Sequence, residues 1–88
     1  MPKVSICTQV LNNNASLKAM VSSVVAQTFK EWELVIVDDA STEDLKAVAD
    51  GFSDQRIRLI RLDQNVGVPK GINMVMKEAK GEYIGILA

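Results

Sequence analysis

Two hydrophobic periods alternate along this chain, and that alternation limits the fold more than any single motif. Short runs rich in β-formers, "KVSICT" (3–8), "WELVIV" (32–37), "RIRLIRL" (56–62) and "EYIGILA" (82–88), read as four strands. Helical stripes lie between them. Leu17, Met20, Val21, Val24 and Val25 fall at i, i+3, i+4, i+7 and i+8 within residues 15–26. Leu45, Val48, Ala49 and Phe52 form a second stripe, and Ile72, Val75, Met76 and Ala79 a third. Ser41 stands three residues before Asp44 and predicts a capping-box-like start to the second helix. Pro69 suits the first turn of the third, and Gly81 stops it. The pattern predicts an α/β fold: a doubly wound, Rossmann-like parallel sheet with right-handed crossovers and helices on both faces. Such sheets normally carry more than four strands, so the 88 residues read as part of a larger domain.

Composition removes several function classes. Ten Lys and Arg against eleven Asp and Glu leave a net charge of −1, which gives no bulk electrostatic case for nucleic acid or a membrane surface. Arg56, Arg58, Arg61 and Lys70 are locally basic, and a solvated strand face is the expectation. A single cysteine, Cys7, excludes an internal disulfide and a cysteine metal cluster. The absence of histidine excludes His-based triads and histidine–zinc sites. No stretch approaches the ~20 apolar residues of a membrane span. The opening "MPKVSICTQV" lacks the pattern of a signal peptide, so a cytoplasmic address is expected.

The stretch "LVIVDDAST" (34–42) drives four apolar residues straight into two adjacent carboxylates. Neighbouring carboxylates repel, and a helix cap accounts for one acid at most. In open α/β sheets, ligands bind beyond the carboxyl ends of the strands. Those ends carry Gln9 to Asn14, Asp38 to Ser41, and Asn65 to Lys70, all polar or glycine-rich. A carboxylate there can accept from a base N–H or a ribose hydroxyl. Asn12 can donate and accept, Gly67 lets backbone approach closely, and the start of the third helix favours a phosphate. This rim suggests a nucleotide. There is no G-x-G-x-x-G and no Walker A sequence, so dinucleotide and P-loop chemistry are unsupported. Trp32, at the other end of its strand, reads as packing, and Cys7 as a small buried hydrophobe.

Four ordered segments, "PKVSICTQVLNN", "SSVVAQTFKEWELVIVDDAST", "RIRLIRLDQNVGVPKGIN" and "AKGEYIGIL", resemble the opening of a family 2 glycosyltransferase of the GT-A fold. The pattern there is V-S-I-I-x-P/T-x-Y-N, S-V-x-x-Q-T-x-x-x-x-E-L-I-V-V-D-D-G-S-T, R-I-x-x-x-x-x-x-x-N-x-G-x-x-x-A-x-N and A-x-G-E-Y-I. The resemblance covers essentially the whole chain and is nearest to bacterial members, including those of polysaccharide biosynthesis.

The resemblance implies a four-stranded sheet of order 3-2-1-4 with three helices. It implies a transferase that moves a sugar from a nucleotide-diphospho-sugar, a UDP-sugar, to an acceptor hydroxyl. Asp39 takes the place of the acid that contacts uracil, and Asp38 supports that corner or meets the ribose. Gln9 and Asn12 match the rim after the first strand, and Asn65, Gly67 and Asn73 match the loop and helix after the third. Gln9 stands where the pattern has Pro or Thr, Leu11 where it has Tyr, Ala40 where it has Gly, and Gly71 where it has Ala. The D-x-D motif that holds Mg²⁺ or Mn²⁺ is expected after Ala88, so residues 1–88 should hold part of a nucleotide pocket, no metal ligand and no catalytic residue. The expectation is an inactive N-terminal piece of a cytoplasmic enzyme, or of one working at the inner face of the membrane. The open edge of the fourth strand invites self-association. The alternative is a non-catalytic nucleotide-binding module or a receiver-like α/β domain. Against the latter, the first strand ends in "TQVLNN" without an acid.

Overall fold

The computed structural model describes residues 2–87 and gives a four-stranded, fully parallel sheet flanked by three helices. The elements run β1 (Val4–Val10), α1 (Asn14–Ala26), β2 (Trp32–Asp38), α2 (Leu45–Asp50), β3 (Ile57–Arg61), α3 (Val68–Glu78) and β4 (Tyr83–Leu87). The sheet order is β3-β2-β1-β4, the order expected. In register, Val4 lies opposite Trp32 and Tyr83, and Leu34 opposite Ile57. Residue 88, expected at the end of the fourth strand, lies outside the described residues.

β2 is central and buried along all seven residues, which explains its lack of alternation: both faces are covered. On one face α1 and α2 bring Leu17, Val21, Val24 and Leu45 against Trp32, Leu34 and Ile36. On the other, Val75 of α3 packs on Cys7, Val35 and Val37. Most of the predicted stripes meet the sheet as expected. Met76 does not: it is 37% exposed, because α3 covers the sheet through Val75, Ile72 and Ala79. The cap of α2 also differs. Asp44, rather than Ser41, is the N-cap and accepts from the Ala47 N–H, so the helix starts one turn later than a Ser41 cap would place it.

The arginines of β3 do not form a merely solvated face. The Arg56 guanidinium lies 3.9 Å from the Trp32 ring centroid and pairs with both carboxylate oxygens of Asp54. Arg58 donates to Glu33 Oε1 (3.2 Å) and to the Glu78 carbonyl. Glu33 is itself buried at the amino end of the sheet, where it accepts from Ser5 Oγ (2.5 Å) and the Lys80 N–H (2.6 Å). Ser5 Oγ accepts in turn from the Gly81 N–H, which ties the α3–β4 turn to the central strands. Burial pushes the Glu33 carboxyl up, but bonds from Ser5, Lys80 N–H and Arg58 outweigh it and hold the group below its ordinary value. Burial and the neighbouring Glu33 charge raise the Cys7 thiol.

Because the folded value of Glu33 lies below its ordinary 4.5, its contribution is complete above that pH and is lost as pH falls through the folded value. Glu33→Gln should therefore lower stability at pH 7 by about 1–3 kcal/mol and flatten the acid side of the stability profile. Urea melts between pH 3 and 7 check this, and an unchanged acid limb would contradict it.

Candidate functional site

The carboxyl end of β2 organises the rim. The Asp39 N–H still donates to the Val10 carbonyl (2.9 Å), so the parallel ladder runs one residue past the strand before the chain turns. Ala40 makes the turn with φ 61°, a left-handed conformation that a Cβ disfavours. Asp38 faces back into the turn: Oδ1 accepts from the Ser41 N–H (2.9 Å), and Oδ2 lies 4.0 Å from Arg61 Nε. With 1% exposure, Asp38 braces this corner. Ser41 is taken out of the capping role: Asp38 holds its N–H, and its Oγ accepts from the Asn12 N–H (2.7 Å).

Asp39 points the other way, and the residue is 2% exposed. Oδ1 accepts from the Val66 N–H (2.7 Å), while Oδ2 accepts from the Gly67 N–H (3.1 Å) and from Gln9 Nε2 (2.9 Å). The Asp39 carbonyl accepts from Asn65 Nδ2 (3.3 Å). The β3–α3 loop is thus folded down onto one carboxylate. Gly67, at φ 82°, makes the turn into α3, whose start carries no side-chain cap.

Asn12 joins the other two loops. Its Oδ1 accepts from Thr42 N–H (2.9 Å), Thr42 Oγ1 (3.1 Å) and Glu43 N–H (3.2 Å). Glu43 returns the link by accepting from the Asn13 N–H (2.8 Å). Asn12 and Asn13 both adopt left-handed backbone, φ 57° and 74°, which asparagine tolerates better than most residues. Asn13 also caps α1 through the Ser16 N–H.

Six of the seven expected residues, Gln9, Asn12, Asp38, Asp39, Asn65 and Gly67, therefore meet in one hydrogen-bonded rim. Asn73 is exposed on α3, and among the described residues no hydrogen bond joins its side chain to the others. Sequence reading placed Ser41 on the rim but as a helix cap, and it missed Glu43 and Gly71 as parts of the site. For Gly71 the signal was present: a glycine inside a helix commonly marks a close approach. A cleft of about 370 Å³ runs beside the rim, lined by Gln9, Leu11, Asn12, Ser16, Met20 and Leu87 among others. A larger cleft, about 460 Å³, opens at the amino end of the sheet around Trp32, Glu33, Arg56 and Arg58, but those charges are already paired within the protein. The rim carries the site.

Residues 5–87 match the model of Glycosyl transferase family 2. The chain belongs to that family. It is 36% identical over 87 residues to the Escherichia coli UDP-Glc:alpha-D-GlcNAc-diphosphoundecaprenol beta-1,3-glucosyltransferase WfaP, covering 99% of the chain and 35% of the relative. WfgD, an E. coli beta-1,3-glucosyltransferase with the same description, is 34% identical over 84 residues, covering 96% and 33%. The fold matches Staphylococcus aureus TarS 1–349 with TM-score 0.86 at 29% identity, over 97% of this chain and 26% of that one. TarS has also been solved with UDP, and there the TM-score is 0.81. The chain spans about a third of the length of the two E. coli relatives. The GT-A architecture is shared with TarS.

Ala40 stands where the family pattern has glycine, and its positive φ gives that difference a physical cost. A left-handed alanine is strained by about 1–2 kcal/mol. Glycine adds about 0.4–1 kcal/mol of chain freedom to the unfolded state. Ala40→Gly should therefore raise stability by up to about 1.5 kcal/mol. Chemical denaturation of the two proteins measures it, and a loss of stability would mean that the Cβ makes a contact outweighing the strain.

Proposed function

We propose that this chain supplies the base-binding part of the donor pocket in a glycosyltransferase that moves a sugar from a UDP-sugar to an acceptor hydroxyl. One observation carries the reading: the β3–α3 loop and the end of β1 both donate to Asp39, so a buried carboxylate sits where open α/β sheets take their ligands. The glucosyltransferase WfaP and the UDP complex of TarS agree with it. In this reading Asp39 accepts an N–H from the nucleobase, while Asp38 and Asn12 hold the rim in shape. Asn65, Gly67 and Asn73 border the donor beyond the base. The uncapped start of α3 favours the diphosphate.

A divalent cation is the family's usual partner for the leaving diphosphate, and the residues here do not fit one. Among the described residues there is no group of three or more Cys, Asp, Glu or His side chains able to hold a metal ion. Asp38 and Asp39 already accept bonds from protein donors. No step is assigned to a metal in this chain. The 88 residues alone are proposed to bind nucleotide weakly without turnover. Among the described residues no helix is long and apolar enough to cross a membrane. The site is assigned to the cytoplasm, with the parent enzyme working there or at the inner face of the membrane.

UDP titrated into the chain should bind with an affinity that Mn²⁺ does not change, and Asp39→Ala should weaken it at least about tenfold. Calorimetry tests this, with circular dichroism confirming that both proteins are folded. Equal binding by a folded Asp39→Ala would remove Asp39 from the pocket.

β4 forms one edge of the sheet, with Tyr83 (62%), Ile84 (46%) and Ile86 (52%) exposed. We assign this edge to self-association of the isolated chain. Sedimentation equilibrium should give a mass that rises with concentration, and Ile86→Lys should suppress the rise. A monomer at all concentrations would end this proposal.

A further inference from the structure

Gln9 and Gly71 stand at two of the positions where this chain departs from its family's pattern, and they meet in space. A Cβ added at Gly71 would lie 2.4 Å from both Cδ and Nε2 of Gln9. Real Cβ atoms do not approach that closely, so the Gln9 amide occupies its position only because residue 71 has no side chain. From there Nε2 donates both to Asp39 Oδ2 (2.9 Å) and to the Gly67 carbonyl (2.9 Å). Its partner atom, Oε1, is buried with no donor.

The three donors on Asp39 are not equivalent. Two are backbone N–H groups of Val66 and Gly67, which cannot leave unless the loop refolds. The third is the end of a flexible side chain. The carboxylate is almost fully enclosed, so a ligand N–H can reach Oδ2 only where Nε2 now sits. A carboxamide presents an N–H beside a C=O, the same arrangement found on the edge of a uracil ring. Its departure is also made easier from within. Leaving Oε1 without a donor disfavours the inward position, and turning Gln9 outward returns that oxygen to water.

We propose that Gln9 is an internal placeholder for the nucleobase: it holds the Asp39 acceptor until a nucleotide displaces it, and so sets the affinity of the pocket. Gly71 supplies the space that this requires. The inference rests on the reading of Asp39 as the base acceptor. Gln9 is in this role a competitor of the ligand rather than a contact to it.

The test is UDP binding to the parent chain, Gln9→Thr, Gly71→Ala and the double variant. Threonine is too short to reach Oδ2, and the alanine Cβ expels the amide without altering Gln9 itself. A lost internal bond to a carboxylate corresponds to about a tenfold change, so each single variant should bind UDP roughly tenfold tighter. The double variant should bind no tighter than Gln9→Thr. In ¹⁵N spectra the Gln9 side-chain amide of the parent should move to the position of a solvated glutamine as UDP saturates. Binding by Gln9→Thr that is equal to or weaker than the parent's, or an absence of binding by both, overturns the placeholder. UDP methylated at the ring N3 separates the two levels. If the parent prefers UDP over the methylated form and Gln9→Thr gains nothing, the placeholder alone is wrong. If the parent binds both forms equally, base reading at Asp39 is wrong and the placeholder falls with it.

Discussion

A buried carboxylate needs donors, and that requirement shapes the whole carboxyl rim of this sheet. Asp39 follows a strand covered on both faces and is almost fully buried. Its oxygens take the N–H groups of Val66 and Gly67, and in doing so they fix the path by which β3 returns to α3. Asp38, one residue earlier, points to the opposite side and fixes the turn toward α2. Two adjacent acids coexist here because the strand alternation sends them apart, each into its own set of donors. The question raised by "VDD" in the sequence has a structural answer before it has a functional one.

The same strand carries an acid at its other end. Glu33 collects Ser5, the Lys80 N–H and Arg58, and so fixes how α3 passes into β4. β2 thus ends at both sides in a carboxylate that accepts backbone N–H groups from a connection distant in sequence. The two ends differ in what remains adjustable. At Glu33 an arginine and a serine complete the shell, and Arg56 and Arg58 are both paired with carboxylates. At Asp39 a glutamine completes it, and a glutamine can turn away.

Local pattern was enough for the fold. The apolar run of β2, the stripes of α1 and α2 and the turn residues between them gave each element within a few residues, because those choices depend on burial and periodicity alone. The errors arose where long-range partners decide. Ser41 fits a helix cap by spacing, but its N–H is held by Asp38 and its hydroxyl by Asn12, 29 residues away along the chain. The arginines of β3 look like a wet edge until Trp32, Asp54 and Glu33 are placed beside them. In the site, the identities of Gln9, Asn12, Asp39 and Gly67 were legible from their position at strand ends. Their mutual bonds were not, since no spacing rule brings residue 9 against residue 71.

Cys7 lies in the middle of this arrangement, on β1 between β2 and β4, with no exposed surface and a thiol kept protonated by burial and by Glu33. Thiolate is the reactive form, and here it must wait for the strands to part. An alkylating reagent would therefore modify this sulfur only through openings of the central sheet. The one cysteine of the chain is a built-in clock for the breathing of its core.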